Sequence, residues 1–162
     1  MKFITLFIMK FLCDQMLGNL SRWLRFFGFD TYYIQSDIDD DELLKIAEKD
    51  NRIIITRDKE LIIRANKRKL KIINIDSINL DVQIKRILKN AEINENKILS
   101  RCSICNTILK KIDKQYVKNK IPNKIYNNMN DFFSCKYCDK TYWMGTHYDK
   151  IIKKIIEIKN GN

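Results

Sequence analysis

Residues 52–58, RIIITRD, decide the fold of this 162-residue chain. Three consecutive isoleucines followed by a threonine predict a short strand that is buried on both faces, as in the centre of a parallel sheet. Asp58 lies two residues beyond the expected end of this strand. Leu61, Ile62 and Ala65 then recur at helical spacing. The stretch therefore predicts a strand that delivers an acidic residue to its carboxyl end and continues into a helix.

The same succession of strand and helix repeats along the first part of the chain. Short apolar runs predict three further strands at residues 11–13, 31–34 and 71–75. Apolar residues at intervals of three and four predict a helix after each strand. This alternation predicts an α/β domain of three layers, in which a mainly parallel sheet is covered by helices on both faces.

The net charge of +11 is large for a chain of this length, and it is unevenly distributed. Residues 1–99 carry 18 basic and 15 acidic side chains, whereas residues 100–162 carry 13 and 5, so that the two parts have net charges of +3 and +8. An excess of this size favours a polyanionic partner. The hydrophobic content of 45% is that of a globular rather than a disordered protein.

The first 14 residues, MKFITLFIMKFLCD, differ from a signal peptide, because Lys10 and Asp14 interrupt the apolar run and no small-residue cleavage site is present. No apolar run reaches the length of a membrane span. We therefore expect a cytoplasmic protein without membrane contact. The tripeptide MKF occurs at Met1 and again at Met9, which favours the hypothesis that translation starts at Met9 rather than at Met1.

Acidic residues follow the predicted strands. Asp14 comes directly after the first strand, Asp58 follows the third, Asp76 closes the fourth, and Asp40 begins the helix after the second. Because sites in parallel sheets form outside the carboxyl ends of the strands, we expect these carboxylates to meet at one edge. A cluster of like charges favours a bound cation, and oxygen ligands suit Mg²⁺ or Mn²⁺. Such an ion can generate a nucleophilic hydroxide next to a phosphodiester.

Each of these acids also has a purely structural interpretation. Asp14, Asp58 and Asp76 are suited to cap helices or to form turns, and Asp40 is suited to complement a helix dipole. For a single acid the structural interpretation is favoured, but Asp14 and Asp58 at corresponding edges of one sheet favour the metal site. Asp76 is followed by Ser77, which is common turn chemistry.

Two CxxC pairs, Cys102/Cys105 and Cys135/Cys138, are separated by 29 residues. Four thiolates complete a closed tetrahedral shell for a structural Zn²⁺, which a region of this size needs in order to fold. A redox dithiol or disulfides are the alternative, but neither pair opens a helix in a thioredoxin-like context. Cys13 lies inside the first predicted strand and is expected to be a core residue.

Basic and aromatic side chains interleave in the cysteine-containing region. The lysines between the two pairs are Lys110, Lys111, Lys114, Lys118, Lys120 and Lys124, and the aromatic group near the second pair is Tyr142, Trp143, His147 and Tyr148. Such surfaces suit phosphate contacts and base stacking, although packing is the favoured role of the aromatics. His147, the only histidine, is expected to be structural rather than a general base.

Four basic residues of the first region are candidate phosphate ligands, namely Arg22, Arg25, Arg57 and Lys59. Arg57 and Lys59 flank Asp58 and are suited to neutralise phosphate charge. Arg22 and Arg25 fall on the side of their helix away from its apolar stripe, where phosphate contact and simple solvation are equally expected.

These motifs together resemble the Mut-seven C-terminal RNase domain family, which combines a PIN-like nuclease domain with a zinc ribbon. The resemblance covers roughly residues 9 to 156. The segments that carry it are FLCDQMLGNLSRWLRFFGFDT at 11–31, DDELLKIA at 40–47, RIIITRDKEL at 52–61, RCSICN at 101–106 and FFSCKYCDKTYWMGTHY at 132–148.

The resemblance implies a PIN-like domain at residues 9–92, a connector at 93–100, a Cys₄ zinc ribbon at 101–148 and a terminal helix at 149–159. It implies a metal-dependent ribonuclease with catalytic acids at Asp14, Asp40 and Asp58, and with Glu60 as a secondary candidate. Asp41 is an alternative to its neighbour Asp40. The expected partner is RNA, and no obligate protein partner is inferred. The alternative function is a non-catalytic, RNA-binding or ribosome-associated zinc-ribbon protein, and a toxin-like nuclease is a third.

Overall fold

The computed structural model describes residues 9–35 and 38–160. The hypothesis about the translation start concerns residues 1–8, which lie outside this part of the chain. The strands are β1 (Lys10–Cys13), β2 (Asp30–Tyr33), β3 (Ile53–Thr56), β4 (Ile72–Asn74), β5 (Lys110–Ile112), β6 (Phe132–Ser134) and β7 (Thr141–Trp143). The helices are α1 (Gly18–Phe26), α2 (Asp40–Lys49), α3 (Lys59–Lys67), α4 (Leu80–Leu88), α5 (Asn123–Asn128) and α6 (Thr146–Asn160).

The first four strands form a parallel sheet in the order β2-β1-β3-β4. Successive strand residues point to opposite faces, so Phe11 and Cys13 enter one core, while Leu12 enters the other together with Ile54. The first core also contains buried residues of α1, α4 and α6, and the second contains those of α2 and α3. The predicted three-layer α/β architecture with a parallel sheet is therefore confirmed.

The strand order changes direction between β1 and β3. From β1 the chain moves outward to β2 on one side, and from β3 it moves outward to β4 on the other. At such a switch point, the connections leave the sheet in opposite directions, which opens a crevice outside the carboxyl ends of the two central strands. Asp14 directly follows β1, and Asp58 follows β3 by two residues, so both flank this crevice.

A second, three-stranded antiparallel sheet in the order β5-β6-β7 lies in the cysteine-containing region. Helix α6 then returns to the first region and buries Ile151 and Ile155 in the core shared with α1. It begins at Thr146, three residues before the predicted start. The connector at 93–100 packs against the first region, because Ile98 is buried and the Leu99 amide donates to the Phe26 carbonyl. We retain the division into 9–92, 93–100, 101–148 and 149–159 as a proposal.

Within the described ranges, no helix combines the length and the apolar character that crossing a membrane requires.

Gly28 determines how closely the connector approaches α1. Its φ is +87°, and a Cβ at this position would lie 2.3 Å from the Lys97 carbonyl oxygen. Gly28→Ala is expected to lower the free energy of unfolding by about 2 kcal/mol or more, because it combines left-handed backbone strain with a backbone collision. Urea denaturation measures the change.

The matched control for Gly28 is Asn51→Ala. Asn51 has a φ of 50° but already carries an exposed side chain. Its replacement tests backbone strain alone and is expected to lower the free energy of unfolding by about 1 kcal/mol or less. Equal losses in the two variants would show that the contact with Lys97 contributes nothing.

Candidate active site and metal centre

Asp14 is the most buried of the predicted acids, with 6% of its surface exposed. Its Oδ1 accepts a hydrogen bond from the Met16 amide at 2.9 Å, so it also caps the 3₁₀ turn at Gln15–Leu17. Its Oδ2 accepts from the Thr56 hydroxyl and, at 3.4 Å, from the Arg57 amide. Among residues 9–35 and 38–160, no arginine or lysine forms an ion pair with it. The buried negative charge of Asp14 is therefore held by neutral donors alone, an arrangement that favours an added cation.

Thr56 connects the two central strand ends. Its buried hydroxyl donates to Asp14 and accepts from the Asp58 amide at 2.9 Å. Asp14 and the start of the Asp58 segment are thus linked through a single oxygen atom. The sequence interpretation did not assign Thr56 a role, and the signal for it was a hydroxyl residue at a strand end, two positions before an acid.

Asp58 lies at the same edge but is exposed. Its Oδ1 accepts from the amides of Glu60 at 2.7 Å and Leu61 at 3.1 Å, which caps α3. The structural interpretation of Asp58 as a helix cap is therefore correct. In the described part of the chain both of these hydrogen bonds go to Oδ1, which leaves Oδ2 available to a ligand.

Asp40 and Asp41 begin α2, but Asp39 caps the helix by accepting from the Glu42 amide at 2.8 Å. Arg64 of α3 pairs with Asp40 at 2.9 Å and with Asp41 at 2.7 Å. The hydrogen bond from Arg64 keeps the pKa of Asp41 below its usual range. Across the described residues, these acids do not join Asp14 and Asp58 in a set with mutually close ligand atoms. The structure therefore links Asp14 with Asp58, whereas the ion pair with Arg64 holds Asp40 against α3.

The remaining candidate acids lie on the exposed surface. Asp76 follows β4 and accepts from the Asn74 side chain at 2.8 Å. Glu60 lies in the first turn of α3. Both are near the ends of strands or the starts of helices at the carboxyl edge, and neither is held as firmly as Asp14.

The four candidate RNA-binding residues differ in their exposure and contacts. Arg22 and Lys59 are exposed, and Lys59 follows the cap residue Asp58. The Arg57 amide donates to the Asp14 carboxylate. Arg25 was expected on an open helix face, and that expectation is wrong. Only 4% of its surface is exposed, because the first CxxC turn covers it.

Replacement of Thr56 by valine tests the link between the strand ends. Thr56→Val is expected to lower the free energy of unfolding by roughly 1–3 kcal/mol, because the Asp14 Oδ2 and the Asp58 amide both lose a buried partner. Thr56→Ser retains the hydroxyl and is expected to recover most of this loss. Chemical denaturation of the three proteins makes the comparison, and equal stability of the valine variant and the wild type would refute the link.

The four CxxC cysteines converge on one point. Their sulfur atoms all lie within 4.8 Å of one another, and Cys102 and Cys135 are buried. Among the described residues, no other group of three or more Cys, His, Asp or Glu side chains has its ligand atoms this close together. The Cys105 and Cys135 sulfurs, which belong to different pairs, are 3.4 Å apart. Four soft donors at these separations fit a tetrahedral Zn²⁺ site, as predicted.

The two CxxC turns repeat one local geometry. The residue after each second cysteine is left-handed, with φ of 69° at Asn106 and 46° at Asp139. Asparagine and aspartate tolerate this conformation better than most residues. The amides of Cys102 and Cys135 donate to the carbonyls five residues ahead, at 2.8 and 3.0 Å. Each turn therefore has the same backbone frame for two sulfur ligands.

The other cysteine and the aromatic group have structural roles. Cys13 is fully buried in β1, and this burial raises the pKa of its thiol, as expected for a core residue. The Tyr142 hydroxyl lies 3.1 Å from the Cys102 sulfur and accepts from the Ser103 amide. The His147 ring packs edge-on against Phe26, with ring centroids 5.1 Å apart. The packing role favoured for this aromatic group is thus supported.

An exposed aromatic residue lies elsewhere in the ribbon, at the tip of the second CxxC turn. Tyr137 has 71% of its surface exposed, and the Lys136 ammonium lies 4.6 Å from the centre of its ring. The sequence interpretation overlooked Tyr137 because it lies between two ligands, where only the cysteines attract notice.

Two comparisons with known proteins identify relatives of this chain. Over 101 residues, or 60% of its length, the chain is 31% identical to the human protein described as "Exonuclease mut-7 homolog". The chain spans only 12% of that relative's length. A model of the Mut7-C RNAse domain family matches residues 9–155, which include Asp14, Asp58 and all four ribbon cysteines. The chain therefore belongs to the Mut7-C RNAse domain family.

Proposed function

We propose that this chain hydrolyses RNA phosphodiester bonds, that Asp14 and Asp58 supply acidic ligands for Mg²⁺ or Mn²⁺, and that Asp40 is the third acid, which must leave its ion pair with Arg64 to join them. Membership of the family supports a nuclease function in general. The observation that carries the finer proposal is the buried Asp14 carboxylate, which lies at the switch-point crevice without a cationic partner among the described residues. Ligands of parallel sheets bind in crevices at the carboxyl ends of the strands, so an acid held in this crevice is well placed to bind a cation.

The chain's own residues have separate tasks in this proposal. Asp14 provides the fixed negative charge, and Thr56 orients it by donating to Oδ2. Asp58 offers the second carboxylate at the rim, and Arg57 and Lys59 bring positive charge next to the position of a phosphate. When bound, the divalent ion lowers the pKa of a water and stabilises charge on the leaving oxygen. Asp41, Glu60 and Asp76 are additional acids at this edge.

The ribbon is proposed to supply much of the affinity for RNA. Residues 101–148 carry nine basic and three acidic side chains, a net charge of +6 before metal binding. Four thiolates and one Zn²⁺ subtract about two charges, so the region stays basic. Phosphate contacts of this kind make binding strongly dependent on salt.

The decisive experiment incubates the purified protein with end-labelled RNA, both single-stranded and structured, and with DNA of the same sequence. Mn²⁺ or Mg²⁺ is either supplied or omitted. A strong chelator is avoided because it would also remove Zn²⁺ from the cysteines. Cleavage of RNA only when the divalent ion is supplied supports the proposal. Salt-sensitive binding of RNA without cleavage under any of these conditions supports the non-catalytic alternative instead.

Tyr137 is expected to stack on a base of the bound RNA. Base stacking on an aromatic side chain contributes roughly 1–3 kcal/mol, so Tyr137→Ala is expected to weaken RNA binding by about fivefold to a hundredfold. Tyr137→Phe retains the ring and is the matched control, with affinity close to that of the wild type. Fluorescence anisotropy with labelled single-stranded RNA measures this, and unchanged affinity of the alanine variant would exclude Tyr137 from the interface.

A further inference from the structure

Arg25 of α1 is a buried cation that faces the first CxxC turn. Its Nη1 donates to the carbonyls of Ser103 at 3.1 Å and Ile104 at 2.6 Å, and its Nε donates to the Thr31 carbonyl at 2.9 Å. Ser103 and Ile104 are the two residues between Cys102 and Cys105. The guanidinium group is therefore anchored to the backbone that positions two of the four sulfur ligands.

The charge of Arg25 has no carboxylate partner among residues 9–35 and 38–160. Asp30 directly precedes Thr31, which Arg25 contacts, but its carboxylate pairs instead with Arg52 at 2.7 Å and Arg101 at 3.5 Å. A buried cation without an anion is costly, even when carbonyl dipoles solvate it. A Zn²⁺ ion with four thiolates carries a net charge of about −2 and would lie next to the same CxxC turn.

We propose that Arg25 is the buried counter-ion of the zinc–tetrathiolate centre. In this arrangement α1 of the first region supplies the positive charge that offsets the excess negative charge of the ribbon's metal site. Zinc binding and the docking of the ribbon onto the first region are then one coupled process. This inference is independent of the proposed nuclease activity, since it concerns only the metal centre and its neighbours.

Asn106 strengthens the coupling from the other side of the CxxC turn. Its side chain accepts from the Thr31 amide at 3.0 Å and donates to Asp30 at 2.9 Å. Its left-handed backbone is part of the metal-binding turn. When the turn closes on the ion, it therefore also fixes the Asn106 side chain, which hydrogen-bonds to β2, the edge strand of the parallel sheet. By thermodynamic linkage, if contacts with the first region raise the zinc affinity, then zinc binding stabilises the first region by the same free energy.

The test measures zinc affinity by competition with a chromophoric chelator of known affinity. Arg25→Met removes the charge but retains a long side chain, and it is expected to weaken zinc binding by about tenfold to a hundredfold. Arg25→Lys retains the charge but loses the geometry of the guanidinium, and is expected to bind zinc more tightly than the methionine variant. Arg22→Met, an exposed change on the same helix, is the matched control and should not differ from the wild type.

Two results of this titration would overturn the proposal. Equal zinc affinity of the Arg25→Met and Arg22→Met variants would show that Arg25 does not influence the metal. Equal weakening in the lysine and methionine variants would show that hydrogen-bond geometry, and not charge, is what the metal site requires.

Hydrogen exchange of the wild-type protein provides a second measurement that needs no substitution. The amides of Gly28 and Phe29 bond to the Arg25 and Leu24 carbonyls, both within the first region. Removal of zinc is expected to accelerate their exchange, because Arg25 loses its counter-charge. Loss of protection confined to residues 101–148 would overturn the coupling. Neither measurement uses RNA or cleavage, so its failure is distinct from failure of the proposed function.

Discussion

Asp14→Asn is expected to reduce RNA cleavage by about 10³-fold, the rate equivalent of roughly 4 kcal/mol of lost transition-state stabilisation. The amide has nearly the same shape as the carboxylate but lacks its charge, so it is a poor ligand for Mg²⁺ or Mn²⁺. Single-turnover cleavage of labelled RNA with Mn²⁺ in excess measures the loss. Asp113→Asn, which alters an exposed acid of the ribbon, is the control and should cleave like the wild type.

The same variant separates a catalytic role of Asp14 from a structural one. In the absence of a divalent ion, two effects on stability oppose each other in the variant: a buried charge without a cationic partner is removed, but the amide NH₂ cannot accept a hydrogen bond from the Met16 amide or the Thr56 hydroxyl. Addition of Mn²⁺ should raise the Tm of the wild type but not that of the variant, since only a site that binds the ion is stabilised by it. Equal cleavage by the two proteins under Mn²⁺, or equal shifts in Tm, would refute the assignment of Asp14.

Cys102→Ser is expected to have the largest effect on stability. The Cys102 side chain is fully buried, and its sulfur is one of four that meet within 4.8 Å. Structural zinc contributes roughly 10–16 kcal/mol to the folding of small domains at neutral pH, and serine is a poor replacement for a thiolate ligand. We expect the zinc content of the variant to fall sharply and the ribbon to lose its fixed tertiary structure.

Elemental analysis and near-ultraviolet circular dichroism report this loss, because Tyr142 contacts the Cys102 sulfur and Trp143 is its neighbour on β7. Cys13→Ala is the matched control, since it also removes a buried thiol, and it should retain its zinc. A variant with a serine at position 102 that binds zinc like the wild type would exclude Cys102 as a ligand.

The fold was largely predictable because its signals are local. An isoleucine run such as 53–55 is compatible with a strand buried on both faces and with little else of that length. The four cysteines predicted their own convergence, because two CxxC pairs are sufficient for one tetrahedral site. The position of Asp14 and Asp58 at one edge followed from the rule that parallel strands end together.

The partners of the charged side chains were not predictable in the same way. Helical periodicity placed Arg25 away from the apolar stripe of α1, but it gave no information about the ribbon that covers this side. Arg25 contacts Ser103 and Ile104, which lie 78 and 79 residues further along the chain. Asp40 was predicted near the other acids, whereas it pairs with Arg64, 24 residues away. Thr56 links Asp14 to the Asp58 amide only because β1 and β3 are neighbours in the sheet.

The sequence by itself determined the strands and helices of the first region and the four cysteines that converge in the second. Periodicity and spacing specify what a segment of a few residues does, because they act over a turn of helix or a single strand. Tertiary structure alone decided that Asp14 is buried without a cation among the described residues and that Arg25 is enclosed by the metal-binding turn. Charge interactions depend on distance in space, and the docking of segments far apart in the chain sets that distance.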